Sequence, residues 1–317
     1  SDSATEACWK INDVNGGWDK WVLNNDVDNI FEGDQSARYN SEFTTDNDDW
    51  LVSPGINLNG AERLSFQYRV YDNAYPVNME VRLSAGGTDP ADFTTVLVPV
   101  QSYTNEYYIK KVVDLTAYTG TVRIAFHAPG GSDSGMYWYL DDVHVEAIPA
   151  CADPYDLSVN NLTQTSAQLA WTPGNTETQW EVVVQPAGTG TPTVAGTVTS
   201  DNPYTANGLT SGTTYEFYVR AVCGSTNSIW AGPIPFTTII SNDECADAIT
   251  VPVNPGTECV QSVGGTVTGA TMSAEAYTCD TIPANDVWFQ FTATATTHNI
   301  SLLNIMGGWS MKFQLYS

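Results

Sequence analysis

Short runs in which apolar and polar residues alternate, each closed by Gly, Pro, Asn or Asp, recur along this chain, and almost no stretch carries a helical apolar period. A period of two sends successive side chains to opposite faces of an extended strand, so each run must bury one face against a second layer. Arg63–Val70, Met79–Ser84 and Thr121–His127 show the pattern in its plainest form. At 317 residues the chain is too long for one small β-domain. The expectation is an all-β chain of three consecutive β-sandwich domains, over residues 1–148, 149–240 and 241–317.

Charge narrows the partners. Lys and Arg number 11 against 36 Asp and Glu, a formal charge of -25. Such a field repels phosphate backbones and anionic bilayers, so nucleic acid and acidic membranes are poor partners. No apolar run approaches the ~20 residues of a spanning helix, so membrane insertion is not expected. Ser1 is not an initiator Met and no signal-peptide pattern opens the chain, which suggests a processed or excised segment. The cysteines are Cys8, Cys151, Cys223, Cys245, Cys259 and Cys279, with no C-x-x-C, beside only three histidines. That argues against structural zinc and for disulfides, hence an extracellular or cell-surface setting.

Two acidic stretches run into apolar strands: Asp46-Asn47-Asp48-Asp49-Trp50-Leu51-Val52 and Tyr139-Leu140-Asp141-Asp142-Val143. Carboxylates crowded beside buried strands resist desolvation and call for hydrogen bonds or a hard cation such as Ca2+. Asp13 and Asn15, two apart before Gly16-Gly17, add oxygens that a turning backbone could bring together. The candidate Ca2+ ligands are Asp13, Asn15, Asp46, Asp49, Asp141 and Asp142. Strand alternation puts Asp141 and Asp142 on opposite faces, so at most one of them enters any given site. The plainer reading, turn residues that only meet water, stays open because Asp and Asn favour turns for backbone reasons.

For an organic ligand the aromatic loop Tyr71-Asp72-Asn73-Ala74-Tyr75-Pro76 offers rings to stack on and directional polar groups, with Tyr71, Asp72, Asn73 and Tyr75 as the candidate contacts. Trp18, Trp21, Tyr107, Tyr108, Tyr137 and Trp138 are further candidate platforms, although aromatics in sandwiches also build cores. No G-x-S-x-G, H-E-x-x-H or Walker-type loop is present, and His127, His144 and His298 fall in two different units. A non-catalytic role is expected.

The succession Trp9, Asp13 to Trp18, Asp46 to Leu58, Ala85 to Phe93 and Tyr139 to Val143 resembles the cleaved-adhesin family. The resemblance implies a jelly roll related to MAM and galactose-binding-like domains, of the kind found in surface adhesins of Bacteroidetes, and favours Asp141 over Asp142 as a Ca2+ ligand. The family's leading strand has no clear counterpart before Trp9. Residues 149–240, with Trp171, Leu209, Gly212-Thr213-Thr214-Tyr215 and Tyr218-Val219-Arg220-Ala221, strongly resemble a fibronectin type III domain, a seven-stranded sandwich. Cys151 at its start and Cys223 after the last of these strands are the expected staple. From Ser241, the Asn242 to Ile249 segment and Asp286 to Ala293 resemble the pre-peptidase C-terminal modules of type IX-secreted proteins, here a truncated β-sandwich with Cys245 and Cys259 as the preferred disulfide. Cys8 and Cys279 have no evident partners.

These readings combine into an extracellular adhesin-type protein that binds a glycan or an extracellular host or matrix protein through a Ca2+-stabilised first domain. The rivals are the accessory region of a larger secreted hydrolase or protease, with further domains on the same polypeptide, and a structural stalk or filament subunit.

Overall fold

The computed structural model describes residues 9–16, 20–41, 47–129, 135–256, 258, 260–273, 285–305 and 313–315. The first domain contains β1 (Lys10–Asp13), β2 (Lys20–Asn24), β3 (Ser36–Asn40), β4 (Asp49–Val52), β5 (Ile56–Asn59) and β6 (Glu62–Val70). It continues with β7 (Val77–Ser84), β8 (Thr95–Tyr103), β9 (Ile109–Asp114), β10 (Thr119–Ala128) and β11 (Tyr137–Ala147). One sheet has the order β1-β4-β10-β7-β8, with β5 also on β10, and the other the order β2-β3-β11-β6-β9. Every pairing in this domain is antiparallel.

Alternation explains the two layers. In β6, Leu64, Phe66, Tyr68 and Val70 enter the shared core, and in β10 Val122, Ile124, Phe126 and Ala128 meet them from the other sheet. Trp138 ties the layers together: its ring lies 5.8 Å from Trp21, 5.9 Å from Tyr68 and 6.3 Å from Phe126. β11 also breaks the alternation. Trp138 and Leu140 face the core, and so do Val143 and Val145, one residue out of phase. A bulge between Asp141 and His144 absorbs the slip, with Asp142 in the left-handed region at φ 50°. The simple opposite-face rule for Asp141 and Asp142 therefore fails, because the strand is not regular where they sit.

The second domain comprises β12 (Tyr155–Asn160), β13 (Ser166–Thr172), β14 (Trp180–Pro186), β15 (Thr197–Thr199), β16 (Tyr204–Asn207), β17 (Thr214–Cys223), β18 (Thr226–Asn227) and β19 (Ala231–Thr237). A β12-β13-β16 sheet packs on a β15-β14-β17-β18 sheet to which β19 adds through β17. Trp171 and Trp180 meet edge-on at 5.5 Å in the core. The Tyr215 hydroxyl accepts the Thr210 N–H at 3.0 Å, pinning the turn before β17. The sulfurs of Cys151 and Cys223 are bonded, closing the domain's N-terminal end onto β17.

The two domains dock through buried charge. Asp153 lies between Arg63 at 2.8 Å and Lys110 at 2.6 Å, and Arg63 also reaches Glu146 at 2.7 Å. Lys111 pairs with Asp156 at 2.8 Å, and Tyr107 and Ile109 pack against the second core. Burial pushes the Asp153 carboxyl up, but Lys110 and Arg63 more than offset this and hold it below its ordinary value.

Of the segment expected as a truncated third sandwich, residues 274–284 and 306–312 lie outside the described residues. Its described residues contain one short parallel ladder, β20 (Ile249–Thr250) on β21 (Phe289–Gln290). Phe289, Phe291, Ile300 and Leu302 are exposed. The run Phe313 to Leu315 is not a strand. Cys245 is exposed and forms no disulfide among the described residues, and its expected partner Cys259 lies outside them, as do Cys8 and Cys279.

Trp138→Ala is expected to destabilise the first domain by about 3–5 kcal/mol, as large-to-small core changes do, read from urea unfolding of the full chain. Asp153→Ala strands Lys110 and leaves Arg63 with Glu146 alone, and is expected to cost about 3 kcal/mol of interdomain stability. Because the folded pKa of Asp153 is depressed, its contribution is complete above the ordinary carboxyl pKa of about 3.9 and fades as pH falls through the lower folded value. Thermal melts of wild type and Asp153→Ala should therefore converge only below about pH 4.

Candidate ligand-binding face

The outer face of the β2-β3-β11-β6-β9 sheet carries the side chains that alternate with the core. Arg38 on β3, Tyr139 on β11 and Arg69 on β6 are direct cross-strand partners and form one row. Lys20, Asn40 and Tyr137 form the next row. The Arg38 guanidinium lies 4.7 Å from the Tyr137 ring centroid, and that of Arg69 lies 5.5 Å from Tyr139 and 5.9 Å from Tyr108. These are cation–π distances, so each arginine lies on a flat apolar surface while keeping its charge. Burial pushes the Tyr139 hydroxyl up in pKa, and the nearby Arg38 and Arg69 pull the other way, with Asp26 adding a smaller upward push.

One side of this face is roofed. The turn over residues 25–35 is tied down by Asp141, whose Oδ2 accepts the N–H groups of Phe31 at 2.8 Å and Glu32 at 3.3 Å. The Tyr108 hydroxyl donates to the Asn29 carbonyl at 2.9 Å, and the Phe31 ring meets Tyr108 at 5.5 Å. Burial, then Asp141, pushes the Tyr108 hydroxyl up. Beyond Tyr108 a cavity of about 160 Å³ at the domain junction is lined by Lys110, Asp153 and Trp230 among others.

The other side is open and holds the expected loop. Tyr71 is 48% exposed, Tyr75 is also exposed, and the Tyr71 ring meets Tyr137 edge-on at 5.6 Å. Asp72 Oδ1 accepts the Ala74 N–H at 2.8 Å within the loop, and the backbone N–H of Asn73 donates to Glu106 of a neighbouring segment at 2.9 Å. Of the other aromatics suggested as platforms, Trp21 and Trp138 are core, since their bulk is what fills the space between the sheets. Tyr107 packs towards the second domain, and Trp18 lies outside the described residues.

The acidic residues separate into two groups. Asp13 and Asp49 are cross-strand partners at the end of the β1–β4 pair, and the Val14 N–H donates to the Asp48 carbonyl at 3.2 Å. Asp49 is fully buried, while Asp13 is exposed and accepts the Gly16 N–H at 2.6 Å, a turn that Gly16 permits with φ 73°. Asn15 lies in that same turn, and Asp46 lies outside the described residues. Asp141 and Asp142 belong to the opposite sheet, where Asp141 holds the 25–35 turn and Asp142 meets His144 at 2.6 Å. Among the described residues no group of three or more His, Cys, Asp or Glu side chains is arranged to hold a metal ion.

His127 sits between Glu80 at 2.6 Å and Asp48 at 3.1 Å and stacks on Trp50 at 3.7 Å. This is a packed polar cluster on the other sheet, remote in topology from His144 and His298. Sequence reasoning passed over Lys20, Arg38, Arg69 and Tyr139. The available signal was the placement of scarce cations inside strands of a strongly acidic chain.

Among the described residues no helix is long and apolar enough to cross a membrane. The Cleaved Adhesin Domain family model matches residues 1–145, and the Fibronectin type III domain model matches residues 152–237. Among solved structures, the chain is similar to the K1 cleaved adhesin domain of Lys-gingipain from Porphyromonas gingivalis W83, with 24% identity over 44% of this chain and 90% of that one and a TM-score of 0.39. It is similar to TmCBM61, solved in complex with β-1,4-galactotriose, with 16% identity over 44% and 88% and a TM-score of 0.32. It is similar to the FN5 domain of Drosophila Lar, with 20% identity over 28% and 97% and a TM-score of 0.23. No curated protein matches. Residues 1–145 are a Cleaved Adhesin domain, and residues 152–237 are a fibronectin type III domain.

Proposed function

We propose that this chain is a non-catalytic, extracellular adhesin-type protein whose first domain binds a glycan or an extracellular protein on the outer face of the β2-β3-β11-β6-β9 sheet. The observation that carries this reading is the juxtaposition of exposed Tyr71 with Tyr137 and Arg38 beside a roofed and therefore shaped surface, with exposed Tyr75 in the same loop as Tyr71. Aromatic rings beside directional cations are the composition of a recognition surface. The disulfide between Cys151 and Cys223 supports an oxidising compartment. The fibronectin type III domain acts as a docked spacer, since its charged contacts with the first domain favour one relative orientation.

Calcium belongs to the same proposal. The meeting of Asp13 and Asp49 at one end of the β1–β4 pair, with Asn15 in the adjoining turn, supports a structural Ca2+ at that end. Asp141 and Asp142, on the opposite sheet, would not contribute.

Binding of the full chain to glycan arrays and immobilised matrix proteins, with Ca2+ and with chelator, tests the main claim. Tyr71→Ala combined with Tyr75→Ala is expected to weaken the captured ligand by about fivefold or more, on the scale of aromatic contacts. Silence on every surface in both conditions would contradict the adhesin reading and favour a stalk. For calcium, saturating ion is expected to raise the melting temperature relative to chelator, since a hundredfold excess over Kd adds about 2.7 kcal/mol. Asp49→Asn should abolish that rise, and superimposable wild-type melts would remove calcium from the account.

A further inference from the structure

The basic residues of this acidic chain are distributed unevenly. Lys10, Arg63, Arg82, Lys110, Lys111 and Arg220 each meet a carboxylate. Arg123 donates to the carbonyls of Ser53 at 3.2 Å and Gly86 at 3.4 Å. The remaining described lysine and arginines, Lys20, Arg38 and Arg69, have no carboxylate within ion-pair distance among the described residues, and their strand positions put all three on the outer face of one sheet. In so acidic a chain, three cations on one face without carboxylates among the described residues make that face the complement of an external anion.

The geometry narrows the anion. Arg38 and Arg69 are two strands apart, so their backbones stand about 10 Å from each other, with Tyr139 between them buried at 1% exposure and only the arginines reaching the surface in part. The Arg38 Nε is buried without a hydrogen-bond partner, while Arg69 spends its Nε on the Val70 carbonyl at 3.2 Å. Both guanidinia are pre-positioned by the tyrosine rings they stack on, which suits them to a planar carboxylate or a sulfate. The nearest loop carboxylates do not compete, because Asp72 and Glu106 accept backbone N–H groups of the 73–74 turn. Asp26 is likewise engaged, accepting the Asn29 side-chain amide at 2.9 Å. Beside the arginines, Tyr137 and exposed Tyr71 offer ring surface, which a saccharide uses and an acidic peptide does not require.

We propose that this face is a subsite for an acidic saccharide, whose carboxylate or sulfate sits at Arg38 and Arg69 with Lys20 nearby and whose ring lies against Tyr137 and Tyr71. The inference rests on the binding role proposed above and adds the chemical class of ligand.

The test is calorimetric titration of the full chain, at physiological ionic strength, with oligogalacturonate, sialyllactose, chondroitin sulfate, neutral lactose and poly-glutamate. At least one of the acidic saccharides is expected to bind tenfold or more tightly than lactose. Oligogalacturonate and sialyllactose report a carboxylate, and chondroitin sulfate adds a sulfate. Arg38→Gln and Arg69→Gln are each expected to weaken that binding by about tenfold, the scale of a lost charge-assisted hydrogen bond, and Arg38→Lys by less. Arg123→Gln, on the other sheet, should leave it unchanged, and wild-type melting temperatures for the variants show that they fold. Equal affinity for lactose would overturn the acidic class while leaving glycan binding intact. Binding of poly-glutamate alone, or acidic binding indifferent to both arginine substitutions, would overturn the subsite. No binding of any saccharide would overturn both the subsite and the glycan form of the proposed function.

Discussion

β11 has to satisfy two surfaces at once, and the rest of the first domain depends on how it does so. Its inward residues, Trp138 and Leu140, close the core between the sheets. Its outward residues, Tyr137, Tyr139 and Asp141, build the face that Arg38 and Arg69 flank. The same alternation that buries tryptophan on one side therefore sets the register of tyrosines on the other, and neither surface can shift by one residue without losing both. The bulge at Asp142 lets the strand continue after this region with Val143 and Val145 still in the core.

Electrostatics adds a second constraint. A chain of net charge -25 repels itself, and most of its few cations are spent inside the fold, notably at the junction where Arg63 and Lys110 both meet Asp153. Burying those charges is tolerable only because each has its partner at hydrogen-bonding distance. The arrangement gives the two domains a preferred docking, and it leaves Lys20, Arg38 and Arg69 on the outer sheet face without carboxylate partners among the described residues. Asp141 contributes as a brace: by accepting the Phe31 and Glu32 N–H groups it holds the turn that shapes one border of that face.

Much of the fold was legible because alternation is local. β6, β7, β10, β13, β14 and β17 fall where the patterning of Leu64 to Val70, Met79 to Leu83, Val122 to Phe126, Leu169 to Trp171, Trp180 to Val184 and Phe217 to Val219 puts them. The phase slip from Leu140 to Val143 was also visible in the letters, and read carefully it announces the bulge. The site was less legible because it depends on which strands become neighbours. No spacing in the chain says that Arg38 and Arg69, some thirty residues apart, lie across Tyr139 in one row, or that Asp13 faces Asp49 while Asp141 belongs to the other sheet. That Tyr71 and Tyr75 would be exposed was legible because aromatics in a short polar loop are a local signal. The segment after Ser241 has strand-like composition, and its described residues contain the short β20–β21 ladder.

The most direct test of the outward row of β11 as a recognition surface is the set of arginine side-chain Nε–H signals of the 15N-labelled full chain, followed by NMR as oligogalacturonate or chondroitin sulfate is added. With oligogalacturonate, or with chondroitin sulfate where only the sulfated saccharide binds, Arg38 and Arg69 should shift together along one saturating curve while Arg123 and Arg220 stay still. Arg38 and Arg69 signals left unmoved by both saccharides, or shifts centred on Arg220 of the second domain, would contradict the account.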